Sequence, residues 1–176
     1  FSFFIVLFFL LLYLAPDRFD YIISRITSFM DPEKSGWSQS QKAIEAIQQG
    51  GLKGRGMGEG ILKENVPEAH TDYIIAVVSE EFGSIVSVLI IIIFLFIAFR
   101  IIKKVISFSN NYYKLALCGL ISLIIFQTFI HIGVNANLLP TTGMTLPFLS
   151  YGGSSLLSSG IVAGIILNFT SLNEKN

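Results

Sequence analysis

From Val88 to Ala98 the chain runs through eleven apolar residues without a polar interruption, inside a longer apolar stretch from about Ser84 to Ile102. Two further stretches, from about Tyr113 to Asn135 and from about Phe148 to Phe169, are of similar length. A helix rises about 1.5 Å per residue, so roughly 20 residues cross a hydrocarbon core ~30 Å thick. Only helices and closed barrels satisfy their backbone polar groups in lipid, and these stretches lack the polar–apolar alternation of barrel strands. The expected fold is all-α: a polytopic transmembrane helical bundle, the end of one span plus three full spans, with a large extracytoplasmic loop. The partial span is residues 1–14, apolar but short for a crossing, with neither the basic leader nor the cleavage site of a signal peptide.

Composition narrows the function classes. Hydrophobic residues make up 52% of the chain, with 16 Phe among them, more than a soluble domain of this size can hide from water. Twelve basic and twelve acidic residues cancel, so there is no electrostatic footprint for nucleic acid. Cys118 is the single cysteine and lies in an apolar run, which excludes a disulfide framework and a cysteine-based zinc site.

Charge also sets the expected orientation. Arg100, Lys103, Lys104 and Lys114 fall between the first two full spans, and the positive-inside rule makes residues 100–114 a cytoplasmic loop. The uncharged connection near 138–155 then faces outward as an irregular loop, and the C-terminus returns to the cytoplasm. The chain accordingly divides into the partial span 1–14, an extracytoplasmic loop 15–72 and three transmembrane helices over 73–176. Within the loop, Ser38 and Gln41 fit a capping box, and Ala43, Ile44, Ala46 and Ile47 form one apolar stripe ending at Gly50. The pattern predicts a short amphipathic helix lying on the membrane or docked on the bundle by Ala43, Ile44 and Ile47.

Four constellations are placed where polar groups are costly. Val66 to Tyr73 leads into a span. A helix begun by Asp72 would put Asp72, Ala76, Ser79 and Gly83 on one narrow face, with Glu80 and Glu81 one to two turns deeper. The plain alternative is that Asp72 caps the helix and the glutamates sit among lipid headgroups. The segment Gly50 to Gly60 has six glycines in eleven residues together with Lys53 and Arg55. Its successive N–H groups and two cations suit a pyrophosphate, and its glycines suit a flexible hinge. Gln127, His131 and Asn135 form a polar stripe at i, i+4 and i+8 within a span, the spacing of interhelical hydrogen bonding or of a wet cavity. Leu139 to Ser155 combines two prolines, three glycines and many hydroxyls without a charge, as irregular backbone lining a cavity at membrane depth would.

In this order the motifs resemble the SEDS family (shape, elongation, division and sporulation). They are Asp31-Pro32, Gln39 and Gln41, the glycine-rich segment, Pro67 to Asp72, Glu80 to Gly83, and Leu139 to Ser155. Thr145 to Phe148 and Gly54 to Glu59 are closer to its division branch than to its elongation branch. The chain departs from the family pattern at Val66, Tyr73, Ile75, Ser79 and His131, and at Thr142, where a cationic anchor is common. The resemblance implies ten spans, of which this chain holds the end of the seventh through the tenth, in the bacterial cytoplasmic (inner) membrane.

It further implies a peptidoglycan glycosyltransferase that polymerises lipid II, the undecaprenyl-pyrophosphate-linked disaccharide peptide, during cell division. Asp72 is then the essential catalytic carboxylate. His70, Thr71, Glu80, Lys53, Arg55, Ser150, Tyr151, Gly152, Gly153 and Ser154 are candidates for substrate binding. The chemistry asks for a general base on the acceptor hydroxyl and for positive charge on the departing pyrophosphate, from Lys53 and Arg55 or from a divalent cation such as Mg or Mn. A class B penicillin-binding transpeptidase and other division proteins are the implied partners. Two other classes use the same features: a flippase for the lipid-linked precursor, and a non-enzymatic scaffold for the transpeptidase.

Overall fold

The computed structural model describes residues 16–30, 39–66, 68–108 and 110–172, and all of its elements are α-helices. They are α1 (Pro16–Met30), α2 (Gln39–Gly50), α3 (Leu62–Asn65), α4 (Ile74–Phe82), α5 (Ser84–Ile106), α6 (Asn111–Asn135) and α7 (Gly153–Leu172). The partial span 1–14, Asp31-Pro32, the capping residue Ser38 and the tail 173–176 lie outside the described residues. Helix α1 belongs to one compact unit, residues 1–38, and α2 to α7 belong to a second, residues 39–176.

The stretch 15–72 is therefore not a loop with one short helix, because it carries three. Helices α1 and α3 are the two that the expected pattern did not include. In α1, Pro16 occupies the first position, where a missing N–H costs nothing, and Phe19, Ile22, Ile23, Ile26, Phe29 and Met30 follow at helical spacing.

Helix α2 docks on α4 by part of the expected face: Ala43 and Ile47 pack inward, while Ala46 and Gly50 rather than Ile44 complete the contact. Its buried residues are Ala43, Ala46 and Gly50, with Ile47 packed at the margin and Ile44 half-buried. The reason is distance. A Cβ at Gly50 would overlap the Ser79 carbonyl oxygen and the α4 backbone beside it, so only the smallest side chains fit between these axes.

Helix α4 begins at Ile74, not by Asp72, and ends at Phe82. Gly83, at φ 91°, breaks the path between α4 and α5, a conformation open to glycine and closed to most other residues. The Leu52 carbonyl packs where its side chain would be, so Gly83 is required twice over. Ala76 and Ser79 do share a buried face, and the close approach that their small size allows is filled by α2.

Helices α5, α6 and α7, of 23, 25 and 20 residues, are long and apolar enough to cross a membrane. Lys103 and Lys104 sit in the last turn of α5, where they suit the helix dipole. Asn110 caps α6 by accepting a hydrogen bond from Tyr112 N at 2.9 Å. At its other end α6 stops in a Schellman turn: Leu138 N donates to Gly133 O at 2.8 Å and Asn137 N to Val134 O at 3.0 Å. Asn137 takes the left-handed position, φ 54°.

The third span starts at Gly153 rather than near Phe148. Phe148 has φ 65°, which no right-handed helix accommodates. Ile85, Leu89, Ile92, Phe96 and Phe99 on α5, Leu123, Phe126 and Phe129 on α6, and Leu157 and Ile161 on α7 are all exposed, a surface suited to hydrocarbon.

Two cores hold the spans. One gathers Val105, Phe108, Leu117 and Ile166 near the basic end of α5, where the Tyr113 ring meets Phe108 at 6.3 Å and Phe169 at 5.3 Å. The other gathers Ala43, Ala46, Leu62, Val66, Ala69, Tyr73, Ala76, Val77 and Val134. It joins α2, α3 and α4 to the far end of α6. Replacing Gly50 with Leu is expected to force α2 off α4 and to lower stability by roughly 1–3 kcal/mol. Limited proteolysis checks this: cleavage within residues 51–60 should accelerate, and an unchanged rate would show that the two helices are not in contact.

Candidate functional site

Residues 68–73 form successive turns between α3 and α4, and Asp72 lies at their end, 5% exposed. Main-chain bonds shape the turns: Thr71 N and Asp72 N both donate to Glu68 O, at 3.1 and 3.0 Å. Thr71 Oγ1 donates to the same carbonyl at 3.0 Å. The α4 N-terminus lies just beyond. Its cap residue, Tyr73, makes no side-chain capping bond, so the orphan donors of the first turn need partners from elsewhere.

One such partner comes from α6. Asn135 Oδ1 accepts from Ala76 N at 3.0 Å, while its Nδ2 donates to Asp72 O at 2.9 Å and to His131 O at 2.8 Å. One turn earlier on α6, His131 Nε2 donates to Thr71 O at 3.4 Å, which leaves Nδ1 as an acceptor 3.3 Å from Asn135 Nδ2. Two turns earlier, Gln127 Nε2 donates to Thr145 O in the late loop at 2.8 Å. The polar stripe of α6 thus bonds to other elements as its spacing suggested, one bond reaching helix α4 and the rest the Asp72 turn and the late loop. None of its three residues was among the candidates for the site. The i, i+4, i+8 spacing was the available signal, and what it lacked was the identity of the partners.

The late loop closes over the same turns. Ser150 Oγ donates to Thr71 O at 2.7 Å and accepts from Leu146 N at 2.8 Å. Tyr151 N donates to His70 O at 3.0 Å. Thr145 Oγ1 and Ser155 Oγ lie 2.7 Å apart, fastening the loop to the start of α7. Gly143, at φ 71°, lies next to the Asp72 carboxylate: a Cβ there would stand in ordinary contact, 3.9 Å from Oδ2.

An open groove of about 690 Å³ runs beside the loop, lined by His70, Ile74, Phe148, Leu149, Ser150, Tyr151, Gly152, Gly153 and Leu156. Its walls are mostly apolar, and Tyr151 is largely exposed. Asp72 is not among the lining residues, and neither are Thr71 and Ser154. The strained φ of Phe148 lies on its rim, where backbone strain tends to gather near functional sites.

The structure therefore brings His70, Thr71, Asp72, Ser150 and Tyr151 together, with Gly152 and Gly153 next to them. It does not bring Glu80, Lys53 and Arg55 into that group. These three sit at the other end of α4, with about 9 Å of helix axis between Ile74, where the helix begins, and Glu80.

Glu80 is 1% exposed, not among headgroups. Its Oε1 accepts from Ile61 N at 2.9 Å and its Oε2 from Leu62 N at 3.0 Å, so the carboxylate closes the start of α3. Arg55 Nη1 stands 3.6 Å from Oε1. Glu81 pairs with Lys63 at 3.0 Å.

Within the glycine-rich segment, Gly54 N, Arg55 N and Gly56 N donate to the carbonyls of Gly50, Glu80 and Glu81 at 2.8, 2.9 and 3.0 Å, so these three N–H groups are engaged by main chain rather than open to an anion. Among the described residues no three His, Cys, Asp or Glu side chains converge to hold a metal ion, so the divalent cation expected from the sequence finds no cage there.

Replacing Glu80 with Gln removes one of two acceptors facing buried N–H groups and the partner of Arg55. It is expected to cost roughly 1–3 kcal/mol of stability. Thermal unfolding in detergent checks this, and a melting temperature equal to the parent's would show that Glu80 anchors nothing.

The chain matches the cell cycle protein family that groups FtsW, RodA and SpoVE, over residues 1–175. It is 44% identical over 149 residues to the "Probable peptidoglycan glycosyltransferase FtsW" of Caulobacter vibrioides, covering 85% of this chain and 38% of that protein. It is 41% identical over 155 residues to the stage V sporulation protein E of Bacillus subtilis, covering 88% and 42%. The chain thus spans about two-fifths of the length of these relatives. A solved structure on the "Structural coordination of polymerization and crosslinking by a peptidoglycan synthase complex" contains a chain of the same fold. The TM-score is 0.67 at 22% identity, over 98% of this chain and 49% of that one. With three membrane-crossing helices and a family match along nearly its whole length, this multi-pass membrane chain belongs to the FtsW, RodA and SpoVE family of cell cycle proteins.

Proposed function

We propose that the chain is part of a peptidoglycan glycosyltransferase that polymerises lipid II into glycan strands during cell division, with Asp72 as its general base. The observation that carries this reading is the Asp72 turn. Asn135 and Ser150 grip its main chain from two other elements, and the side-chain-free Gly143 lies beside the carboxylate. The names of the relatives supply the reaction class.

In this reading the 4-hydroxyl of the acceptor sugar attacks the anomeric carbon of the donor. Asp72 takes the hydroxyl proton, a C–O bond forms, and the bond from the sugar to undecaprenyl pyrophosphate breaks. The mostly apolar groove, with His70 and Ser150 at its polar edge, suits a substrate that is half lipid and half headgroup. A class B penicillin-binding transpeptidase is the proposed partner, in keeping with the pairing of polymerization and crosslinking named for the structural neighbour.

Helix direction supports the orientation. Helix α5 leaves the Gly83 junction and ends at Lys103 and Lys104, and α6 returns to end at Asn135 beside Asp72. The site and the basic connection are thus at opposite ends of the spans. With the basic end in the cytoplasm, Asp72 faces outward in the cytoplasmic membrane and the C-terminus faces in.

Asp72→Asn in the full-length protein keeps size and most hydrogen bonding but takes up no proton at neutral pH. Lipid II polymerisation is expected to fall ~10²–10⁴-fold with membrane insertion intact. Normal glycan synthesis by this variant would remove Asp72 as the base, whereas a parent protein that lengthens no glycan would favour a flippase or a scaffold. Orientation is checked by labelling intact cells after Cys118→Ala. A cysteine at exposed Leu138 is expected to react with an impermeant thiol reagent, while one at exposed Ser107 is not. The reverse pattern would invert the topology.

A further inference from the structure

We propose that Asn135 is the positioning residue for Asp72, so that α6 sets where the catalytic carboxylate points; this rests on the reading of Asp72 as the general base. Asn135 is 1% exposed and fully committed. Its two N–H bonds reach Asp72 O and His131 O, and its Oδ1 receives Ala76 N. These partners fix the amide's orientation, because a main-chain N–H must face the oxygen and main-chain carbonyls must face the nitrogen.

Asp72 O and Ala76 N bracket Tyr73 to Ile75, the residues over which the turn becomes helix. Their dihedral angles, with those of Asp72 itself, set where the Asp72 Cα–Cβ bond stands relative to α4. The cap residue Tyr73 contributes no side-chain capping bond, so this helix start is defined in part from another helix. His131 extends the grip to the preceding carbonyl, Thr71 O. Asn135 stands behind the Asp72 main chain and acts through it. A displacement of about 1 Å at a reacting group can cost on the order of 10²-fold in rate, so a side chain that fixes this turn bears on turnover.

The test uses the full-length enzyme in detergent with purified lipid II, and two variants. Asn135→Asp keeps an acceptor for Ala76 N and loses both donors, placing an oxygen against the Asp72 carbonyl. Asn135→Ser shortens the reach to both partners with little change in polarity. For each, kcat per folded molecule, KM and melting temperature are measured beside Asp72→Asn. The expected result is a fall in kcat of about 10–100-fold in Asn135→Asp with KM within about threefold of the parent, and a smaller fall in Asn135→Ser.

A purely structural role would lower the melting temperature and the folded fraction while leaving kcat per folded molecule unchanged, and that result overturns the proposal. Failure of both variants to fold overturns it as well, since Asn135 would then serve the bundle alone. An inactive Asp72→Asn beside a fully active Asn135→Asp overturns the positioning role and spares the general base. A fully active Asp72→Asn overturns both.

Discussion

A helix start buried inside a membrane protein exposes N–H groups that neither lipid nor its own backbone can satisfy. Helix α4 begins in such a place, and its first turn relies on the Asn135 amide for Ala76 N. Much else at this end of the bundle is arranged around that dependence. Because Asn135 lies in the last turn of α6, the end of that span must sit against the Asp72 turn. Because α6 stops there in a Schellman turn, the chain is sent directly into the late loop, which folds back over Thr71 through Ser150. A single satisfied backbone group thus links a span, a turn and a loop that are far apart in sequence.

The opposite end of α4 is held by different physics. There a buried carboxylate, Glu80, accepts two main-chain N–H groups of the α3 start, and the glycine-rich segment lies against the junction at Gly83. Glycine is needed at Gly50, Gly54 and Gly83 because main-chain atoms of one strand of chain occupy the space of the other's missing side chains. Arg55 is drawn to Glu80 for the same reason: a carboxylate buried this deeply is stabilised by a cation at its open edge.

How much of this was legible depends on the kind of signal. The three spans could be read because hydrophobic length is a property of consecutive residues. The α2 stripe could be read because helical spacing is local, and Ala43 and Ile47 do pack inward. Ile44 looks like an equally natural contact, and only the partner's proximity makes Ala46 and Gly50 the better one. Asp72, His70 and Ser150 stood out through their motifs. Asn135 stood out only as part of a polar stripe, because its partners are two main-chain atoms 59 and 63 residues away. Glu80 was grouped with Asp72 by nearness in sequence, while the fold sets them at opposite ends of one short helix.

The break at Gly83 gives this architecture a further property. In an uninterrupted helix, inserting one residue turns everything beyond it by about 100° and shifts it by about 1.5 Å. Here α5 crosses the bilayer and α4 carries the Asp72 turn, and the backbone changes course between them. Residues gained or lost beyond the junction rotate the lipid-facing side chains of α5 without rotating Asp72. Span length can then drift to match membranes of different thickness while the register of the Asp72 turn stays fixed. Gly83 separates adaptation to the bilayer from the placement of that turn.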